Sequence, residues 1–199
     1  MKKPEEKVIS KDRVNGLVLM GGQSSRMGED KAFLKIYNKP LFEIAHDLLT
    51  EFCDQVYISC HEDQGKMIPK NFNLIVDSES FNGPISGIRQ AFAKEITNWL
   101  ILPCDMPFLT KNSIEKLLMD TNKNDVVCAS DASGQINPLV GLYKSTCSEK
   151  LKKYSGNSPK EFVKLVSFGA IPFSAKELVN LNRPEDWDRI NYSLKKSSF

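Results

Sequence analysis

The sequence predicts an α/β fold, a single-domain three-layer sandwich around a mainly parallel central sheet. Three observations predict it. Short apolar runs alternate with amphipathic segments along the whole chain. The apolar runs are unbroken, as expected of strands covered on both faces. At 199 residues, with 41% hydrophobic and 26% charged residues, the chain fits one domain with a full core. A domain of this size buries roughly 70% of the surface its unfolded chain exposes, so it needs no covalent staple.

Each element has a local reason. Asn15 to Met20 is a compact apolar strand that ends at Gly21-Gly22. Pro40 to Phe52 carries Leu41, Ile44, Ala45, Leu48, Leu49 and Phe52 at helical spacing, and Pro40 suits a helix start. Gln55 to Cys60 is rich in β-formers, and Phe72 to Val76 is a second such run, closed by Asp77. Pro84 to Lys94 places Ile85, Ile88, Ala91 and Phe92 on one helix face. Trp99 to Leu102 is a fully apolar strand stopped by Pro103. Thr110 caps a helix carrying Ile114, Leu117 and Leu118. Asp125 to Ala129 and Leu139 to Tyr143 read as strands, with helices near Ser145 to Tyr154 and Ser158 to Leu165. No internal repeat or long linker divides the chain. Residues 1–12 and 191–199 are expected to be loose tails around a domain spanning 13–190.

Composition excludes several functions. Lys plus Arg is 27 against 25 for Asp plus Glu, a net charge of +2, without the basic excess of a nucleic-acid binder. The charged start, MKKPEEKVISKDR, lacks the apolar stretch of a signal peptide, and no apolar run approaches the ~18 residues of a membrane span. Cys53, Cys60, Cys104, Cys128 and Cys147 are scattered, without a C-x-x-C pair; they read as free, mostly buried thiols in a cytoplasmic protein. With His46 and His61 the only histidines, any metal is expected to be a hard cation on carboxylates.

Chemistry concentrates after the first strand, in Gly21-Gly22-Gln23-Ser24-Ser25-Arg26-Met27-Gly28-Glu29-Asp30-Lys31. Glycines let a backbone approach phosphates and aim N–H groups at them, while Arg26 and Lys31 add fixed positive charge for a polyphosphate. The spacing is neither a Walker A loop nor a dinucleotide fingerprint. Asp105 follows the buried strand Trp99 to Leu102, at the carboxyl edge where open α/β sheets bind ligands. A carboxylate there suits Mg2+ held against phosphate oxygens. Asp77 ends another strand and either faces the same site or caps its own turn. Gly83-Pro84 opens a helix, as an anion site or as a plain Pro-at-N1 start.

These motifs resemble the nucleotidyltransferases related to molybdenum cofactor guanylyltransferase. The glycine-rich segment is similar to that family's G-G-x-S-x-R-M-G-x-D-K. Gly83-Pro84-Ile85-Ser86-Gly87-Ile88 is similar to G-P-L-x-G-I, and Pro103-Cys104-Asp105-Met106-Pro107-Phe108 matches P-C-D-M-P-F. Pro138 to Tyr143 matches P-L-x-x-L-Y, and Asn180 to Asp186 resembles N-x-N-T-P-E-D with Arg183 in place of Thr. The motifs run in order across residues 15–187.

The resemblance implies a Rossmann-like, nucleotide-diphospho-sugar transferase-like sheet and transfer of GMP from GTP to molybdopterin-bound molybdenum cofactor, with Mg2+ and release of pyrophosphate. It implies that Leu19, Met20, Gly21, Gly22, Lys31, His61, Asp77 and Asp105 bind the nucleotide. Arg26, Lys31 and Asp105 are the expected catalytic residues, and Asp105 is the metal ligand. The second glycine of Leu19-Met20-Gly21-Gly22 removes a methyl group and so admits a guanine. His61 stands where the family places an Asn near the nucleotide, and is either that contact or an exposed loop residue. Asn180 and Asn182 face the pterin-bearing acceptor or form an Asx-turn. Expected partners are GTP, molybdopterin or the molybdenum cofactor, and proteins that deliver or receive it, with no nucleic acid or membrane; the protein is expected to be a monomer or weak homo-oligomer. Two alternatives stay open. A cytidylyltransferase acting on molybdopterin or another phosphorylated acceptor differs in base preference. A non-catalytic nucleotide-binding regulatory protein would release no pyrophosphate.

Overall fold

The first apolar run forms an interior strand of a sheet with seven strands among the described residues. The computed structural model describes residues 13–20, 30–36, 38–77, 83–119 and 123–181. Gly21, Gly22, Arg26, Asn182 and both expected tails lie outside the described residues.

β1 (Val14–Leu19) is followed by a short hairpin, β2 (Lys35–Ile36) and β3 (Lys39–Pro40), then α1 (Leu41–Thr50) and β4 (Val56–Cys60). The hairpin turns through Asn38 at φ 63°, a conformation that Asn adopts more readily than most residues. Next come α2 (Glu62–Met67), β5 (Asn73–Val76), α3 (Pro84–Lys94) and β6 (Asn98–Pro103). The chain then forms α4 (Lys111–Leu118), β7 (Val126–Ser130), β8 (Ile136–Tyr143), α5 (Ser148–Lys153), α6 (Pro159–Val163) and β9 (Phe168–Pro172).

The strand order is β5-β4-β1-β6-β8-β7-β9. Parallel pairing joins β5, β4, β1 and β6, and also β7 with β9, while β8 is antiparallel to both its neighbours. Side chains alternate between two cores, as a two-sided sheet requires. Val18, Leu100 and Leu102 face one way, onto Leu41, Phe42, Ala45 and Leu49 of α1 and Ile114 and Leu117 of α4. Leu17, Leu19, Trp99 and Ile101 face the other way, onto Ile85, Ile88, Ala91 and Phe92 of α3, with Leu151 of α5 and Phe162 of α6. The architecture is therefore the expected three-layer α/β sandwich.

Several elements differ from the sequence expectation. β8 begins at Ile136 rather than Leu139, and its register shifts against β7 between Cys128 and Ala129. Pro138 is accommodated in that irregular stretch, where the ladder needs no N–H from it. β6 includes Pro103 as its last residue, paired with Leu19. β9 was not expected: Gly169, Pro172 and a half-exposed pattern obscure an edge strand that pairing with β7 creates. The helix expected near Ser145 to Tyr154 is a 3-10 turn, Ser145–Cys147, leading into α5. The Thr110 cap is present, its Oγ1 accepting the Ser113 N–H at 3.3 Å. All five thiols are free and four are buried. Among the described residues no helix is long and apolar enough to cross a membrane.

Candidate active site

The first half of the strand order contains a reversal of direction across the sheet. From β1 the chain steps to β4 and then β5, and α3 carries it back past β1 to β6. The next strands of this sheet after β1 and after β6 lie on opposite sides of that pair, which places a crevice beyond their carboxyl ends. This is the switch point where open α/β sheets bind ligands. Two backbone bonds tie its floor together: Met20 N–H donates to the Ser59 carbonyl at 3.1 Å, and Cys104 N–H to the Leu19 carbonyl at 3.0 Å. The Cys104 thiol points at the Met20 carbonyl, 3.6 Å away, and burial pushes its pKa well up. It is a packed polar contact rather than a nucleophile.

Two recesses meet in this crevice, sharing Leu19 and Pro84 as walls. The first is lined by Met20 and by residues at the ends of β4 and β5, including Ser59, His61 and Asp77. Ser59 Oγ donates to Asp77 Oδ1 at 3.1 Å, and Gln90 Nε2 donates to the same oxygen at 3.2 Å. Burial raises the Asp77 carboxyl above its ordinary range, opposed by the Ser59 hydrogen bond and the nearby His61. The His61 side chain is exposed, and its backbone N–H donates to Gln64 Oε1 at 2.8 Å at the start of α2.

Two glycines let α3 close over this recess. Gly83 holds φ +82°, which L side chains rarely adopt, immediately before Pro84 at the helix start. At Gly87 a Cβ would lie 2.2 Å from Ser59 Oγ and 2.9 Å from Leu19 Cδ2. The absent side chain at Gly87 is thus what lets the helix rest directly on the ends of β1 and β4.

The second recess contains Asp105, Asn137 and Asn180. Asp105 follows β6, and its backbone carbonyl accepts the Leu181 N–H at 2.9 Å. The Asn180 amide lies beside the Asp105 carboxylate and favours its charged form. Burial raises the Asp105 carboxyl, while the Lys31 ammonium, its own backbone and Asn180 pull it back down. Lys31 starts a 3-10 turn, Lys31–Phe33, capped by Asp30. Lys31, at the end of the glycine-rich segment, and Asp105, two residues past β6, therefore act on one another electrostatically. Asn180 Oδ1 is buried and has no hydrogen-bond partner among the described residues. No group of three or more His, Cys, Asp and Glu side chains that could hold a metal occurs among those residues, so a metal here would rest on Asp105 and on oxygens brought by substrate.

The structure thus brings Leu19, Met20, Lys31, His61, Asp77, Asp105 and Asn180 to one sheet edge. Asn180, expected beside the acceptor or in an Asx-turn, sits near Asp105, because the segment after β9 returns over the carboxyl end of β6. Ser59, Gln64 and Gln90 were missed. Each left a signal: a polar residue ending the apolar run Val56-Tyr57-Ile58, a Gln at capping-box spacing after His61, and a Gln one helical turn after Ser86.

Comparison with known proteins agrees with this fold. The model of the MobA-like NTP transferase domain matches residues 16–167. The "Molybdenum cofactor biosynthesis bifunctional protein" of Synechocystis is 31% identical over 191 residues, covering 92% of this chain; the chain spans about half of that relative's length, 55%. A Geobacillus protein named "Probable molybdenum cofactor guanylyltransferase" is 33% identical over 197 residues, covering 90% of this chain and 98% of its own. The crystal structure of molybdopterin-guanine dinucleotide biosynthesis protein A from Archaeoglobus fulgidus superimposes with a TM-score of 0.75 at 20% identity, over 92% of this chain and 99% of that one. At that identity the likeness shows the fold.

Proposed function

The chain belongs to the MobA-like NTP transferase domain family, and from that premise we propose that it transfers GMP from GTP to the terminal phosphate of the molybdenum cofactor, releasing pyrophosphate. The observation that carries the reading is the Asp105 carboxylate at the switch-point crevice, within electrostatic reach of the Lys31 ammonium and beside a recess with the polar lining of Ser59 and Asp77.

An oxygen of the acceptor phosphate attacks the α-phosphorus of GTP. One phosphorus–oxygen bond forms there as the bond to the β-phosphate breaks, and the electron pair leaves on pyrophosphate. The acceptor oxygen is already ionised, so no general base is needed. The task is to hold two anions together and stabilise the charge that accumulates on the leaving group, which is positioning and electrostatics. Lys31 supplies a fixed ammonium for the triphosphate, and we assign Arg26 the same role. Asp77, Ser59 and the strand-end backbone take the base, and we assign Gly21, Gly22 and His61 to nucleotide binding as well. Asn180 orients Asp105, and we retain Asn180 and Asn182 as neighbours of the acceptor.

The residues fit Mg2+. Asp105 is a hard oxygen donor whose charge is penalised by burial, and a carboxamide oxygen beside it lacks a partner. Asp105 would hold the ion, which would offset negative charge on the triphosphate. The free, mostly buried thiols support a cytoplasmic location. Incubation with each nucleoside triphosphate, Mg2+ and purified molybdenum cofactor tests the proposal, with products identified by mass spectrometry. GTP is expected to yield the guanine dinucleotide and pyrophosphate. Preference for CTP, or no pyrophosphate with any nucleotide, would overturn it.

A further inference from the structure

Gln64 takes no part in the reaction above, yet it is 8% exposed within a short polar helix, and both ends of its amide are used. Its Oε1 accepts the His61 backbone N–H at 2.8 Å, and its Nε2 donates to Asp30 Oδ2. The other oxygen of Asp30, Oδ1, accepts the Ala32 N–H at 3.1 Å, and the Asp30 carbonyl accepts the Phe33 N–H at 3.0 Å. These two bonds build the turn that begins with Lys31. One buried side chain therefore joins the start of α2, just past the end of β4, to the residue preceding the lysine that faces Asp105.

Chemistry fixes the orientation of that amide. Its oxygen must meet the N–H and its NH2 must meet the carboxylate, so the link is directional. A hydrogen bond to a carboxylate is among the stronger ones, and burial shields it from competing water. We propose that Gln64 is a positioning residue that holds Asp30, and through it the turn from which Lys31 addresses the triphosphate beside Asp105. This rests on the nucleotidyl-transfer reading of the crevice.

Gln64 also occupies the third helical position, where Gln or Glu caps the helix start, so a purely structural role must be separated from the link. Gln64→Glu does this. A carboxylate still accepts the His61 N–H, but it has nothing to donate to Asp30 and places like charge against it. The melting temperature is expected to fall by a few degrees, leaving the protein folded at the assay temperature, while kcat/KM for pyrophosphate release falls roughly 10- to 100-fold and GTP affinity weakens. Adding Asp30→Asn reverses the polarity of the link, since Asn donates to Glu and still caps Ala32. Gln64→Glu with Asp30→Asn is expected to recover most of the lost kcat/KM and GTP affinity.

A Gln64→Glu protein as active as the wild type would overturn the proposal. So would a double variant no better than the single one, or a loss of activity confined to temperatures at which the variant melts. GTP affinity, read by calorimetry without acceptor, tests the link independently of turnover. A wild-type protein that binds GTP but releases no pyrophosphate would overturn the proposed function, and the proposal about Gln64 is then judged on GTP affinity alone.

Discussion

Gly87→Ala places a methyl group where the structure has no room for one. The new Cβ would meet Ser59 Oγ at 2.2 Å, Leu19 Cδ2 at 2.9 Å and Ser59 Cβ at 3.0 Å. Rotating the hydroxyl aside relieves the first clash, but it breaks the 3.1 Å bond to Asp77 and leaves the other two. The remaining relief is a shift of α3 away from β1 and β4, against the apolar packing of Leu19, Ile85 and Ile88. Overpacking of this kind costs about 1–3 kcal/mol. At about 2–4 °C per kcal/mol for a chain this long, the melting temperature should fall by roughly 2–12 °C. Loss of the Ser59–Asp77 bond alone should weaken nucleotide binding by about 2- to 12-fold. Differential scanning fluorimetry and GTP calorimetry read the two effects. Ser59→Ala in the same chain removes the worst contact, so the double variant should melt higher than additivity predicts, by about 0.5 kcal/mol or more. A Gly87→Ala protein with unchanged melting temperature and unchanged GTP affinity would refute the close-approach argument.

Asp105→Asn should lower turnover by roughly 100-fold or more, measured as pyrophosphate release at saturating Mg2+. The same change should raise the melting temperature at neutral pH in the absence of metal. Burial raises the Asp105 carboxyl, so the folded state takes up its proton more readily than the unfolded chain. The resulting penalty is full above the raised value and vanishes below the ordinary carboxylate range, and the advantage of Asn should fade as pH falls through that window. Lys31→Ala should lower kcat and kcat/KM together if the ammonium serves the transition state; a rise confined to KM would reduce it to a binding group, and no change would remove it from the site. Asn180→Ala removes an amide that favours the charged form of Asp105, so the acid limb of the pH–rate profile should move upward and the Mg2+ requirement should rise by about tenfold. An unchanged profile would return Asn180 to the acceptor alone.

The sequence by itself determined the elements whose information is local. The spacing of Leu41, Ala45 and Leu49, the Thr110 cap, the Gly83-Pro84 turn and the unbroken run Trp99 to Leu102 each specify an element through periodicity, turn chemistry or burial on both faces. The ordered motifs also placed Lys31, Asp77 and Asp105 at strand or loop ends, because a polar residue that stops an apolar run has few other places to go. Tertiary structure decided what depends on partners distant in the chain. The reversed direction of β8 and the existence of β9 follow from which edges remain unpaired once β6 has crossed the sheet, and no local pattern encodes that. The contacts of Asn180 with Asp105, and of Gln64 with Asp30, likewise join segments far apart in sequence that share one crevice. Such contacts leave no periodic signature, since one hydrogen bond constrains a single side chain, whereas a buried face constrains every third or fourth residue of a helix.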